Sequence, residues 1–357
     1  KNHVYFAAED GLWRTDGTAA ERFDERPMFT SGGDSGFFTQ VGDLLFYTAY
    51  DDSGGSYELW RTDGLLAGTT MIGAFPNAPH DLLAYKSKLY FSTGEALWDS
   101  DGTAAETKKV KDISPEPVSL TTAGEHLYLA TEYNYELWLS DGTTAGTALF
   151  MNDVFKASLV YFDGKLHFWK QSGIEEEATV GLWRTDGTVA GSEKIVDVAA
   201  PYHAIAADSL IYFFPKLDEV PAELWRSDGT AAGTFKLNVT FPPYDYESFF
   251  KSSTLVKGDQ LFFAGYDDEH STEPWISDGT VSGTKALADV YPGVLDSSPC
   301  CLNMLGGKVF FSAAAGPNQQ ALWQSDGTAA GTKEAVGLSY PDVHSSEPGW
   351  LTAVNGR

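Results

Sequence analysis

The chain has 357 residues, 43% of them hydrophobic and 14% aromatic, which excludes a disordered chain and is enough for a large core. Its 24 basic and 50 acidic residues give a formal net charge of −26, a surface that repels nucleic acid and anionic lipid. No apolar run approaches the ~18 residues that a membrane-spanning helix needs, so neither nucleic acid binding nor membrane insertion is expected.

Taken in chain order, the elements repeat themselves. Aligned on tryptophan, the copies are GLWRTDGTAAER at Trp13, ELWRTDGLLAGT at Trp60, ALWDSDGTAAET at Trp98 and ELWLSDGTTAGT at Trp138. GLWRTDGTVAGS at Trp183, ELWRSDGTAAGT at Trp225, EPWISDGTVSGT at Trp275 and ALWQSDGTAAGT at Trp323 complete the set. Subtracting successive tryptophan numbers gives spacings of 38 to 50 residues. Alternating apolar runs precede the copies, as in KLYFS, HLYLA, KLHFW, LIYFF, QLFFA and KVFFS, and these predict a strand. A shorter apolar stretch ending in a turn comes before that run (SLTTAGE, TLVKGD, CLNMLGG), and a last stretch follows the phrase (TKKVKDI, TKALADV). One repeat is therefore four short strands, A to D, the length of a propeller blade.

The phrase itself is read as scaffold rather than chemistry, because a catalytic motif need occur only once. Its Asp is expected to cap the C–D turn through an amide two residues on, and its first Gly to supply a left-handed residue. The second Gly is expected to supply another such position, and the tryptophan to fill the space between blades.

The phrase resembles the ELWxSDGTxxGT repeat of secreted and surface proteins, mostly bacterial, that are often labelled hyalin-like. The resemblance covers the whole chain. It implies a β-propeller and extracellular or cell-surface placement, and it carries no catalytic residue with it. Lys1 in place of Met is read as a processed or trimmed start. The first copy lacks a strand A, and GWLTAVNGR at the C-terminus reads as a strand A with nothing after it. The expectation is an all-β, eight-bladed propeller filling 1–357 as one domain, with strand A of the first blade supplied by about 349–357. The expected function is a non-enzymatic structural or interaction module with a protein or glycan partner, itself included, as in a surface filament or matrix. The alternative is a carbohydrate-binding or carbohydrate-cleaving propeller that uses the loops of blades 6 to 1.

Candidate sites follow from the loops. The longest D–A connections carry Phe241, Tyr244, Tyr246, Tyr291, Tyr340 and Trp350 as ligand-binding candidates. The B–C loops of blades 2 and 7 share Tyr-Asp-Asp, which makes Asp51, Asp52, Asp267 and Asp268 metal candidates and calcium the one candidate cofactor. His80, His203 and Cys300 each precede a strand A, where a ring could hold a transition metal, but their blades lie too far apart. Asn238-Val239-Thr240 is a glycosylation sequon on an outer strand, and Cys300-Cys301 is expected to form a vicinal disulfide in an oxidising compartment. No residue is assigned a catalytic role.

Overall fold

The computed structural model describes residues 4–8, 11–15, 20–24, 38–51, 54–131, 135–155, 159–173, 179–215, 223–240, 253–293, 295–316 and 319–335, with those up to 24 and residues 240, 319 and 320 as backbone. The chain is all-β. Each repeat from the second to the eighth folds as a four-stranded antiparallel meander in the order A-B-C-D. Repeat 2 runs Phe38–Val41, Leu44–Asp51, Ser56–Thr62 and Thr70–Phe75. Repeats 3 to 6 follow at 80–112, 117–151, 160–197 and 201–240, repeat 7 at 254–286 and repeat 8 at 300–334. The first repeat shows three strands, Val4–Ala8, Gly11–Thr15 and Ala20–Asp24, which the alignment on Trp13 makes B, C and D. A single bridge, Thr240 to Tyr266, joins repeats 6 and 7 into one continuous sheet.

Strand A of one repeat lies against strand A of the next, from Phe38–Val41 through His80–Tyr85, Pro117–Ala123 and Val160–Phe162 to Pro201–Ala206, and again from Thr254–Lys257 to Cys300–Leu305. Thr39 donates its hydroxyl to the Leu82 carbonyl across one such junction, at 2.8 Å. This places the sheets as propeller-type blades with strand A innermost. Strand B is buried on both faces because a blade packs on each side. Phe46, Tyr47, Thr48 and Ala49 are consecutive and all buried, which explains why these runs are continuously apolar rather than strictly alternating.

The repeated phrase closes on itself as a hydrogen-bonded staple. In repeat 4 the Asp141 carboxylate accepts from the Thr143 amide at 2.8 Å and from its hydroxyl at 2.7 Å. Thr143 Oγ1 accepts from the Gly146 amide, and Thr147 donates to the Thr143 carbonyl. Ser140 and Thr147 hydroxyls meet at 2.7 Å, and the Gly142 amide donates to Ser140. The same bonds recur in repeats 3, 6, 7 and 8. In repeat 2, Leu65 stands in the Thr place, and Asp63 keeps only its bond to the amide. The capping Asp is as expected from the sequence, and so is the first glycine: Gly142 sits at φ +92°. The second glycine corrects the expectation. Gly146 is not left-handed; a Cβ there would stand 2.1 Å from Asp141 Oδ1, so its role is to clear room for the capping carboxylate.

The first glycine also docks on the preceding blade. Gly102 faces Leu44 and Phe46, Gly142 faces Tyr85 and Tyr90, and Gly187 faces His126 and Tyr128. Gly229 faces Phe162 and His167, Gly279 faces Leu210 and Tyr212, and Gly327 faces Phe262 and Ile276. Each of these glycines therefore seats a turn on the aromatic or histidine ring of strand B one repeat earlier. Those rings are buried: Phe46, Tyr90, Tyr128, His167, Tyr212 and Phe262 are each at most 3% exposed.

The tryptophans lie at blade junctions, but less deeply than expected. Trp98 meets Phe75 of repeat 2 edge-on at 5.2 Å, and Trp138 packs against a buried cluster drawn from repeats 3 and 4, which includes Tyr85, Leu97 and Leu127. All seven from Trp60 to Trp323 are half-buried, whereas the leucine before each is fully buried in repeats 2 to 6. A β-bulge at the Leu–Trp step in repeats 2 to 5 breaks the alternation with strand D there. The one completely buried tryptophan among the described residues is Trp169, outside the repeated phrase, 5.0 Å from the Phe213 ring.

Candidate functional site

In an A-B-C-D meander, the start of strand A and the B–C loop lie at the same end of the blade. The long D–A connections, the B–C loops and the entries to the inner strands therefore share one face. Two polar clusters stand on it.

The first joins repeats 3 and 4. His80 opens strand A of repeat 3, with Asp81 beside it at φ +51°. Glu116 precedes strand A of repeat 4, after the cis Ser114-Pro115 bond. His80 Nδ1 lies 2.8 Å from Asp81 Oδ2, and Nε2 lies 3.0 Å from Glu116 Oε1. Burial works against the charged ring, but the bonds to the two carboxylates outweigh it and raise the His80 pKa above its ordinary value. The cluster is a charge-assisted latch between neighbouring inner strands.

The second surrounds the connection from repeat 7 to repeat 8. Glu273, fully buried on strand C, accepts from the Val290 amide at 2.8 Å, the Ser297 hydroxyl at 2.9 Å and the Tyr291 amide at 3.4 Å. Burial pushes its pKa up to about 7, against the pull of those donors. Asp296 accepts from the Ser271 hydroxyl at 2.6 Å and the Thr272 amide at 3.0 Å. Ser297 and Ser298 amides donate to the Thr272 carbonyl, and the Ala314 amide to the Ser297 carbonyl. The connection is thus pinned to strand C of one blade and strand B of the next.

The residues singled out from the sequence are spread over this face and beyond it. Tyr291 is half-buried within the second cluster. Tyr244, Tyr246, Tyr340 and Trp350 lie outside the described residues, as do Phe241 and Asp52. Asp51 ends strand B of repeat 2 and accepts the Gly55 amide through its carbonyl. Asp267 accepts from the Glu269 and His270 amides and faces the His270 ring at 3.0 Å, so its oxygens cap a turn. Asp268 is exposed, 3.3 Å from the Tyr266 hydroxyl. Among the described residues no group of three or more His, Cys, Asp and Glu side chains is arranged to hold a metal ion. His203 is half-buried on strand A of repeat 6. Asn238 is exposed on the outer strand of repeat 6, at φ +56°. The Cys300 and Cys301 sulfurs are 3.0 Å apart and not covalently joined, so the expected bond is not formed in this structure.

Sequence reasoning missed Glu273 and the His80–Glu116 contact. The strand B ring under each Asp-Gly turn was also missed, although its signal was visible: the third position of those runs reads Phe, Tyr, Tyr, His, Tyr, Phe, Phe.

No protein-family model matches the chain, and no curated protein matches it closely. Loose likenesses exist among solved structures. The computationally designed Ika8 protein is 12% identical over 83% of this chain and 86% of its own, with a TM-score of 0.47. The β-propeller domain of the Trilobed protease from Pyrococcus furiosus is 12% identical over 84% of this chain and 97% of its own, with a TM-score of 0.42. A puromycin-hydrolyzing peptidase from Mycobacterium tuberculosis is 12% identical over 88% of this chain, at a TM-score of 0.49, and this chain spans 57% of that enzyme. At such identities and TM-scores these likenesses assign no function to the chain.

Proposed function

We propose that the chain is an extracellular, non-enzymatic β-propeller of eight blades that works as a structural or interaction module, presenting its D–A and B–C loops to a protein or glycan partner. The observation that carries this reading is where the motif's polar groups go. The Asp, Ser and Thr side chains of the repeated phrase, which is the most chemistry-like text in the sequence, bond one another inside their own turns. The resemblance to the ELWxSDGTxxGT repeat, the charge of −26 and the exposed sequon at Asn238 support extracellular placement.

Eight blades are favoured by Phe310. It is the repeat 8 counterpart of the six buried strand B rings, yet it is half-buried, and none of the six described docking glycines covers it. Two first glycines remain besides those six; Gly64 of repeat 2 would by the same rule seat on repeat 1, which leaves Gly17 of the first repeat for Phe310, with strand A of that blade supplied by about 349–357. The first blade would then have all four of its strands, and the ring would keep only the short outer edges that propellers retain.

A second reading, a carbohydrate-cleaving propeller, has Glu273 in its favour, since a carboxyl raised to about 7 suits a general acid. Its complete burial and three protein donors weigh against contact with a substrate. The test is incubation of the whole chain with a panel of polysaccharides, read by retention and by release of reducing ends, alongside sedimentation velocity at rising concentration. Retention or self-association without new reducing ends is expected. Reducing ends that vanish in E273Q would replace the first reading with the second.

A further inference from the structure

We propose that Cys300 and Cys301 form a reversible thiol–disulfide site whose reactant is a low-molecular-weight disulfide such as oxidised glutathione. Successive residues of a regular strand point to opposite faces, so two adjacent cysteines there cannot meet. Here they do. Strand A of repeat 8 pairs Cys300 with Ser312 and Asn303 with Phe310, so two residues on one strand oppose one on the other, and Cys301 within that bulge is left-handed at φ +60°. The bulge turns both sulfurs to the same side, 3.0 Å apart. Both residues are half-buried rather than sealed in the core.

The surroundings hold this geometry. The residues just before Cys300 are fixed by the Ser297 and Ser298 amides on the Thr272 carbonyl, the Ser297 hydroxyl on Glu273 and the Ala314 amide on the Ser297 carbonyl. The backbone bend that a bond between neighbours requires is therefore built in before oxidation. Cys300 opens an inner strand and so lies on the loop face, but the bend is held by the chain's own hydrogen bonds and needs no partner, so the site stands whether or not the proposed function does.

The chemistry balances as two exchanges. The thiolate of one cysteine attacks a sulfur of oxidised glutathione. The reagent's S–S bond breaks, one glutathione thiolate leaves, and the protein carries a mixed disulfide. The thiolate of the second cysteine then attacks the protein-bound sulfur, and the second glutathione leaves. The protein gives up two protons and two electrons, and two molecules of reduced glutathione result. Adjacent Cα atoms are ~3.8 Å apart, below the usual ~4.4–6.8 Å of disulfides, so the product is strained and returns readily to the dithiol.

The test uses the whole folded chain in mixtures of reduced and oxidised glutathione, trapped by alkylation and read by intact mass. Oxidising mixtures should remove two hydrogens and both alkylation sites, and reducing mixtures should restore them. Cys300→Ser and Cys301→Ser, which leave one thiol each, should instead stop with one bound glutathione. A wild-type chain that keeps glutathione as a stable mixed disulfide would overturn the proposal. So would a folded chain whose two thiols stay alkylatable in a buffer that oxidises the urea-unfolded chain.

Discussion

Replacing His167 by Phe should remove a specific acid sensitivity of the fold. His167 occupies the strand B position that is Phe or Tyr in the other described repeats, and it lies beneath Gly229, 1% exposed. Burial lowers its pKa from 6.5 to about 4. A group with a depressed folded pKa that is charged when protonated lets the unfolded chain bind the proton first. Stability from its neutral form is complete above pH 6.5 and is lost as pH falls toward 4. At pH 5 the unfolded imidazole is 1.5 units below its pKa of 6.5 while the folded ring is still neutral, so the loss is about 2 kcal/mol at ~1.36 kcal/mol per unit. Glu273 acts in the opposite sense. Its raised pKa gives stability that is present below 4.5 and lost as pH rises toward 7, so the overall pH profile of the wild type conceals both effects. The double difference isolates His167: urea midpoints of wild type and H167F at pH 8 and pH 5. Phe already fills the equivalent place at Phe46 and Phe262, under Gly102 and Gly327, so the packing is tolerated. The variant should lose about 2 kcal/mol less than wild type on going from pH 8 to 5. Identical pH dependence in the two proteins would refute the reasoning.

Three further outcomes are expected. Trp138→Ala should cost about 3 kcal/mol by urea denaturation, the low end for a tryptophan, because the ring is half-buried and its Nε1 donates to Glu136 at 3.0 Å. Thr143→Val should cost about 1–2 kcal/mol by losing the bonds to Asp141 and Gly146, whereas Leu65→Thr should gain a few tenths to 1 kcal/mol by restoring them in repeat 2; urea midpoints of both variants test the staple. His80→Gln should be most destabilising below pH 6.5, where the charged ring bridges Asp81 and Glu116, and the difference from wild type should shrink as pH rises through the raised folded pKa; thermal melts across that range would show it.

The repeated phrase made the blade legible in the sequence because it is a local structure. Asp141 reaches an amide two residues away, and the left-handed φ of Gly142 belongs to the turn itself, although its close approach to Tyr90 does not. The second glycine was misread because its neighbour is a side chain, not a dihedral angle: the Asp141 carboxylate that Gly146 must avoid is placed only when the turn closes. The depth of the tryptophans was hidden in the same way, by bulges that the alternation of polar and apolar residues does not announce. On the candidate face little could be read. Glu58, Glu136 and Glu273 all stand two residues before the repeat tryptophan, yet the first two bond the indole and the third is sealed under its own D–A connection. His80 and Glu116 are 36 residues apart and meet only because consecutive inner strands are neighbours.

An experimentally determined map of the full chain tests the central claim, a ring of eight blades closed by the chain's own ends. The account predicts residues 351–354 paired with Val4–Ala8 of the same molecule, and Gly17 seated over Phe310 as Gly327 is seated over Phe262. A map in which Phe310 is left uncovered, or in which residues 351–354 pair elsewhere, would contradict it.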